Sequence, residues 1–335
     1  MNILFVFTGG TIGSTLNRNN IIAADTQKSY AIIDTYSKKY ALDFDYDIVE
    51  PYIELSENNT GDHIRMLAEC VGARLGAGYD GIIVTHGTDT LQYSAAALGY
   101  LAGADSVPIC LVSSNKPIED EQSNALYNLH SAICFIKNRE GRGVFVLYRN
   151  SNSNVVRVHR GTRLIGTKAF SDDVSSIFGG VYGHFDADFN FVKNEEYQEK
   201  EDESATFDLS TLCESNEEIL MIFPHPGMVY PKLGEKVKYI LHNTYHSGTV
   251  NTRSESTKEF FLDAKARGIK TYIVGVTDGL EYESSGIFGE LGLIPLKNLS
   301  PVAAYVKLWI LSGSRLSDSE ITEKLMQSLS GDIAP

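Results

Sequence analysis

The sequence predicts an α/β protein in which an N-terminal domain built on a parallel sheet precedes a smaller α/β C-terminal domain. Strand and helix patterns alternate through about the first 145 residues, which is typical of parallel strands joined by helical crossovers. The chain has 335 residues, whereas single cores stop growing near ~250–300 residues. We therefore expect an N-terminal domain over residues 1–192, an acidic linker over 193–213 and a C-terminal domain over 214–335.

The predicted strands of the N-terminal domain are short apolar runs. The first two, each followed by a loop rich in threonine and glycine, are wholly apolar. Apolar residues at helical spacing lie between these runs. The predicted strands cover residues 3–7, 81–84, 107–112, and a hairpin of 144–148 with 155–159, and the predicted helices cover 62–75, 90–101 and 121–136. The same rhythm predicts C-terminal strands over 220–223, 239–241 and 271–276, with helices over 256–267 and 300–311.

Composition and charge exclude several functional classes. The formal net charge of −14 argues against non-specific nucleic-acid binding, which needs clustered Lys and Arg. The four cysteines form no CxxC pair, and Cys70, Cys110 and Cys134 lie in apolar contexts typical of reduced, buried thiols. The N-terminus has no signal-peptide pattern, and no apolar run approaches the ~20 residues that span a membrane. We expect a cytoplasmic protein that does not bind membranes.

The first predicted strand runs directly into the segment TGGTIG at residues 8–13. Glycines allow a sharp turn and a close approach to a ligand, and threonine hydroxyls can donate, accept or attack. The spacing fits neither the dinucleotide fingerprint nor the phosphate-binding loop. Taken alone, the segment is equally consistent with a structural turn.

The second predicted strand ends in HGTDT at residues 86–90. Here Thr88 and Asp89 place a hydroxyl beside a carboxylate, which can hold a substrate ammonium group or orient a lysine. Asp89 could instead cap the following helix. Because ligands bind beyond the carboxyl ends of parallel strands, we expect both glycine loops to open into one crevice.

Two further residues carry a functional and a structural interpretation. Lys168 could lose its proton if desolvated near other cations and act as a base, or it could be a surface lysine. We expect His86 to be a packed, hydrogen-bonding residue. No His, Cys, Asp and Glu cluster has metal-like spacing, so we predict no metal, and no GxSxG elbow is present.

These motifs together resemble the bacterial-type L-asparaginase family. TGGTIG and HGTDT match the two signature loops of that family in order and separation, and weaker matches lie at residues 56–58, 112–117 and 223–227. The resemblance covers nearly the whole chain. It implies an enzyme without a cofactor that hydrolyses the side-chain amide of L-asparagine, with possible side activity on L-glutamine.

The resemblance also implies a role for each matching residue. Thr11 would be the nucleophile that attacks the amide carbon, and a threonyl ester would follow. Thr88, Asp89 and Lys168 would form a second catalytic group that accepts and relays protons. The residues implied in substrate binding are Ser56, Glu57, Asp89 and Ser114.

The chain departs from the family pattern at several positions. The first tyrosine after TGGTIG is Tyr30, which is the candidate for the loop tyrosine that orients the nucleophile in relatives. The segment before Lys168 is longer than in typical relatives. Glu57 stands where many relatives have Gln or Ser, which should alter the preference between Asn and Gln. Glu281 and Glu283 are the nearest candidates for the acidic residue that relatives donate from a neighbouring subunit.

Two alternatives to an asparaginase remain at this stage. One is an amidase acting on another amide, such as the ammonia-supplying subunit of a tRNA-dependent amidotransferase, although those proteins usually carry an extra N-terminal domain and the first strand here begins at residue 2 or 3. The other is a non-catalytic amino-acid sensor on the same scaffold. Because family active sites borrow from a partner chain, we expect a homodimer or homotetramer.

Overall fold

A computed structural model describes residues 1–10, 12, 14–16, 22–24, 31–199, 207–279 and 282–335. Its strands form an eight-stranded sheet, a four-stranded sheet and a two-stranded pair of β2 with β3, and we number the elements along the chain. The N-terminal elements are β1 (Asn2–Phe7), β2 (Ser14–Leu16), β3 (Ile22–Ala24), α1 (Ala31–Lys39), β4 (Asp45–Val49), α2 (Gly61–Gly72), β5 (Gly81–Thr85), α3 (Leu91–Ala102), β6 (Ile109–Val112), α4 (Ala125–Lys137), β7 (Val144–Tyr148), β8 (Val156–Arg160), β9 (Gly183–Phe185) and β10 (Phe191–Lys193). The C-terminal elements are β11 (Ile219–Ile222), β12 (Tyr239–Asn243), α5 (Glu255–Ala266), β13 (Lys270–Val276), β14 (Leu293–Lys297), α6 (Pro301–Ser312) and α7 (Asp318–Met326).

The larger sheet has the strand order β10-β9-β8-β7-β6-β5-β1-β4. The strands β4, β1, β5, β6 and β7 are parallel, whereas β8, β9 and β10 are antiparallel to their neighbours. The β1, β5, β6 and β7 segments are almost wholly apolar because apolar clusters cover both faces of the sheet. The predicted parallel sheet and the hairpin of β7 with β8 are both confirmed.

The smaller sheet has the order β11-β12-β13-β14, and all its pairs are parallel. The predicted fold class, a parallel-rich α/β sheet followed by a second and smaller α/β sheet, is confirmed. The predicted linker over 193–213 begins in the last residue of β10 and ends before β11. Of the helices in the described part of the chain, none is long and apolar enough to cross a membrane.

One apolar cluster joins helices of the N-terminal part to the smaller sheet and its helices. Helix α3 of the N-terminal part packs against α6 of the C-terminal part, and Tyr100 and Trp309 belong to the same buried cluster. Inside this interface, Nζ of Lys307 lies 2.8 Å from Oδ2 of Asp332, and neither side chain is exposed. The interface therefore fixes the N-terminal sheet, and the loops at its edge, against the C-terminal part.

Candidate active site

The two glycine loops leave neighbouring parallel strands at the same edge of the larger sheet. Phe7 at the end of β1 is the register partner of Thr85 at the end of β5. The next residue, Thr8, donates a hydrogen bond from Oγ1 to the carbonyl oxygen of Thr85 at 2.7 Å. The crevice predicted at the carboxyl ends of these strands thus begins with a direct bond between the loops.

Gly10 and Gly87 pack backbone against backbone. Gly10 has a φ of +77°, and a Cβ added there would lie 2.3 Å from the backbone nitrogen of Gly87. The nitrogen of Gly10 also donates to the carbonyl oxygen of Glu54 at 3.0 Å. Both the left-handed conformation and the close approach require glycine at position 10.

Ser56 and Asp89 are two polar residues of this crevice that bind each other. Ser56 lies in a short 3₁₀ turn, Ser56–Asn58, and is buried, whereas Asp89 is exposed. The hydroxyl of Ser56 accepts a bond from the backbone nitrogen of Asp89 at 3.1 Å and donates to Oδ2 of Asp89 at 3.2 Å. The structure therefore brings together two of the predicted substrate-binding residues.

Thr88 lies between these contacts and is half-buried. Neither its hydroxyl nor its backbone N–H forms a hydrogen bond within the described ranges of the chain. Its neighbours Gly87 and Asp89 both contact Ser56, since a Cβ on Gly87 would lie 2.4 Å from the Ser56 Oγ. Two hydrogen-bonding groups of Thr88 are thus free to meet a ligand.

His86 is fully buried behind the second loop, and the predicted packing role is confirmed. Its Nδ1 lies 2.8 Å from the carbonyl oxygen of Gly87, and its Nε2 lies 2.8 Å from Oγ of Ser94 on α3. Burial lowers the pKa of His86 to about 4, so the ring is neutral near pH 7.

Asn59 is a member of this network that the sequence did not indicate. Its Nδ2 donates to Oγ1 of Thr90 at 3.2 Å and lies 3.5 Å from Nε2 of His86. Thr90 in turn donates to the carbonyl oxygen of Ser56 at 2.9 Å. Its position directly after the segment 56–58 is the one feature of the sequence that could have indicated its place in the site.

Lys168 is the predicted base of the second catalytic group. It lies in an exposed loop, where its carbonyl oxygen accepts from the backbone nitrogen of Ser171 at 3.1 Å. Over the ranges that the structure describes, no hydrogen bond or ion pair joins its ammonium group to Thr88 or Asp89. Its role as a base stays a prediction.

The remaining predicted residues are placed as follows. Glu57 is exposed in the same turn as Ser56. Ser114 follows β6 and is buried, with its hydroxyl donating to the carbonyl oxygen of Lys116 at 2.8 Å. Glu283, in the C-terminal part, is exposed and pairs with Arg253 at 3.0 Å. The predicted residues Thr11, Tyr30 and Glu281 lie outside the described residues.

Within the described ranges, no group of three or more His, Cys, Asp and Glu side chains could hold a metal ion. The arrangement instead offers hydroxyls, backbone amides and one carboxylate. Such groups suit recognition of an amino acid and stabilisation of a developing oxyanion.

Several known proteins have sequences similar to that of this chain. A family model described as "Asparaginase, N-terminal" matches residues 2–186. One relative is a subunit of the glutamyl-tRNA(Gln) amidotransferase of Pyrobaculum aerophilum, which is 24% identical over 337 residues; the match covers 98% of this chain and 79% of that protein. The corresponding protein of Sulfolobus acidocaldarius is 25% identical over 341 residues, and the match covers 99% of this chain and 75% of that one.

Solved structures give the same fold. The thermostable L-asparaginase of Thermococcus kodakarensis superposes with a TM-score of 0.77 at 21% identity, over 100% of both chains. A probable cytoplasmic L-asparaginase of Campylobacter jejuni gives a TM-score of 0.75 at 21% identity, over 98% of this chain and 99% of that one. At these identities the likeness shows the fold.

Proposed function

Because this chain belongs to the asparaginase family of amidohydrolases, we propose that it hydrolyses the side-chain amide of L-asparagine to L-aspartate and ammonia, with side activity on L-glutamine. The observation that carries the proposal is the meeting of the two glycine loops. Gly10 lies against Gly87, and the hydroxyl of Ser56 bonds to Asp89, so the groups that bind an amino acid stand beside the loop that holds a free threonine hydroxyl.

The proposed reaction has two steps. Thr11, which follows Gly10 directly in the sequence, attacks the amide carbon through its hydroxyl oxygen. The carbon–nitrogen bond breaks, the hydroxyl proton passes to the departing nitrogen, and ammonia leaves a β-aspartyl ester on Thr11. A water molecule then attacks the ester, and aspartate and free threonine result. Thr88 relays protons, with Asp89 and Lys168 completing the proton path.

The charges of the crevice suit an α-amino acid. The exposed carboxylate of Asp89 would hold the α-ammonium group, and the hydroxyl of Ser56 would keep that carboxylate in place by donating to its Oδ2. Glu57, in the same turn, would assist at the ammonium group, and Ser114 would border the site from the loop after β6. No cofactor takes part in this scheme.

The scheme needs two groups that the crevice itself does not supply, a base and a second acidic residue. The loop of Lys168 would have to bring its ammonium group to Asp89 when substrate binds. An acidic residue, Glu281 or Glu283, would come from a partner chain, which makes the working protein a homodimer or homotetramer. A cytoplasmic location fits the probable cytoplasmic L-asparaginase with the same fold.

Glutamine is the second candidate substrate, because the matched relatives belong to a glutamyl-tRNA(Gln) amidotransferase and the match covers 98% of this chain. In that case the enzyme would release ammonia from L-glutamine, and other amidotransferase chains would be its partners. The measurement that separates the two candidates is the ratio of kcat/KM values for the two amides.

The test is ammonia release from L-asparagine, from L-glutamine and from buffer alone, with aspartate or glutamate measured in parallel. Hydroxylamine should intercept the ester and give the amino-acid hydroxamate. Thr11→Ala and Thr88→Ala should each lower kcat by several orders of magnitude with a smaller effect on binding, while Thr11→Ser retains the hydroxyl and measurable turnover. Binding of L-asparagine without turnover would establish the sensor instead.

A further inference from the structure

The imidazole of His86 is held in one orientation and one tautomer. A carbonyl oxygen can only accept, so the 2.8 Å contact with Gly87 places the hydrogen on Nδ1. Nε2 then carries the lone pair and accepts from the hydroxyl of Ser94 at 2.8 Å. Both partners and the ring are buried, and the pKa of His86, lowered to about 4 by burial, keeps this single neutral tautomer across the physiological range.

This bond fixes the peptide that joins Gly87 to Thr88. The peptide is planar and trans, so its carbonyl and N–H groups point in opposite directions. The carbonyl points to the buried imidazole, and the N–H of Thr88 therefore points away from it. That N–H has no acceptor in the described part of the chain, whereas the next N–H, of Asp89, donates to Ser56.

We infer that His86 is a positioning residue, which holds the Gly87 carbonyl so that the N–H of Thr88 faces the substrate amide and stabilises its oxygen as negative charge develops. The inference rests on the proposed amide hydrolysis. His86 touches neither substrate nor nucleophile in this role. It acts through one backbone amide, and the buried hydroxyl of Ser94 holds the other side of the ring.

The orientation matters because an oxyanion donor works only at the right place. Removing one donor of this kind lowers kcat by about 10²–10³-fold in a well-studied protease. Misdirecting the Thr88 N–H should give a smaller loss than deleting a donor, while ground-state binding through Ser56 and Asp89 continues. The expected signature is therefore a fall in kcat with little change in KM.

The test compares His86→Gln with His86→Asn. The side-chain amide of Asn reaches the position of Nδ1 and can still donate to the Gly87 carbonyl. The side-chain amide of Gln reaches the position of Nε2 and cannot. We expect kcat for the preferred amide to fall about 10–100-fold in His86→Gln, with KM changed less than about threefold. His86→Asn should recover most of the loss at a similar Tm. Equal kcat values in the two variants would overturn the inference.

A second variant covers the case in which His86→Gln does not fold. Ser94→Ala removes the hydroxyl that bonds to Nε2, loosens the imidazole that holds the Gly87 carbonyl, and should lower kcat several-fold at constant KM; an unchanged kcat would overturn the inference. The wild-type protein is measured in the same assay. If it releases no ammonia from either amide, the proposed function itself fails and the inference fails with it.

Discussion

Ser56 and Asp89 bind each other through two hydrogen bonds, one from the backbone nitrogen of Asp89 at 3.1 Å and one to its Oδ2 at 3.2 Å. The Ser56 hydroxyl therefore orients the carboxylate that we expect to hold the substrate ammonium group. Ser56→Ala should raise KM about 10–100-fold, because hydrogen bonds to charged groups contribute about 1.5–3 kcal/mol. Steady-state kinetics with L-asparagine measures this.

The matched control for this change is Ser151→Ala, which removes an exposed hydroxyl in the β7–β8 turn. It should leave both KM and kcat at the wild-type values. A normal KM in Ser56→Ala would place the amino-acid binding groups elsewhere.

Gly10→Ala should destabilise the loop and abolish most activity. The added methyl group would lie 2.3 Å from the backbone of Gly87, and the backbone at φ +77° disfavours any side chain. Backbone atoms cannot turn aside as a flexible side chain can, so the two loops must separate. The measurement is activity together with the thermal midpoint.

Gly289→Ala is the matched control for that substitution, because a Cβ at position 289 meets no atom within 4 Å. It should keep wild-type activity and stability. Full activity in Gly10→Ala would show that contact between the loops is not needed for catalysis.

Much of this site could be predicted from the sequence, because the ends of strands β1 and β5 determine where its loops lie. Wholly apolar runs predicted β1 and β5, and parallel pairing of those strands then required the loops after them to meet. Neither step depends on the conformation of a long loop. The family resemblance implied a substrate-binding role for both Ser56 and Asp89, and the structure places the two in contact.

The conformation of the segment around Lys168 could not be predicted in this way. It connects two turns outside any strand, so neither a hydrophobic period nor a register determines where the ammonium group lies. Strand β4, Asp45–Val49, was missed for a related reason. It is an edge strand with exposed residues and lacks the apolar run that marked its neighbours.

Lys168→Met tests whether the exposed lysine reaches the crevice during turnover. If Lys168 is the base, kcat should fall by about 10²–10⁴-fold, which is the usual contribution of general acid–base catalysis. Lys38→Met, which removes an exposed lysine from α1, should have no effect. A kcat within twofold of the wild type would assign the proton transfer to another group.

Stability should fall as the pH drops below about 6.5, because burial lowers the pKa of four histidines in the folded protein, three of them to about 4 or below. These three are His86 and His242, each with a pKa of about 4, and His159, with a pKa of about 3. The unfolded chain takes up protons near pH 6.5, whereas these histidines in the folded chain do not. The free energy of unfolding therefore decreases as the pH falls.

The expected loss at pH 5 is about 2 kcal/mol for each of these histidines relative to pH 7.5. Urea unfolding at pH 7.5, 6.0 and 5.0 measures it, above the range in which ordinary carboxylates take up protons. Replacing the exposed His225 with Gln should leave this dependence unchanged. Equal free energies of unfolding at pH 7.5 and 5.0 would contradict it.

The buried pair of Lys307 and Asp332 gives the last prediction. Tyr100 of α3 donates to Oδ2 of Asp332 at 2.8 Å, and Lys307 of α6 approaches the same oxygen at 2.8 Å. The carboxylate thus joins the C-terminal segment to both parts of the protein. Lys307→Met would leave that carboxylate buried without its counter-ion, which should lower the free energy of unfolding by about 3–5 kcal/mol.

The double variant Lys307→Met with Asp332→Leu separates the ion pair from the packing around it. Removing both charges avoids an unpaired buried charge, so the double variant should be more stable than Lys307→Met alone. Recovery should be partial, because Tyr100 and the backbone nitrogen of Leu329 also lose their acceptor. Lys258→Met, at a surface pair, should change stability by less than about 1 kcal/mol. A double variant less stable than Lys307→Met would mean that the bonds of Asp332 to Tyr100 and Leu329 outweigh its charge in holding the two sheets together.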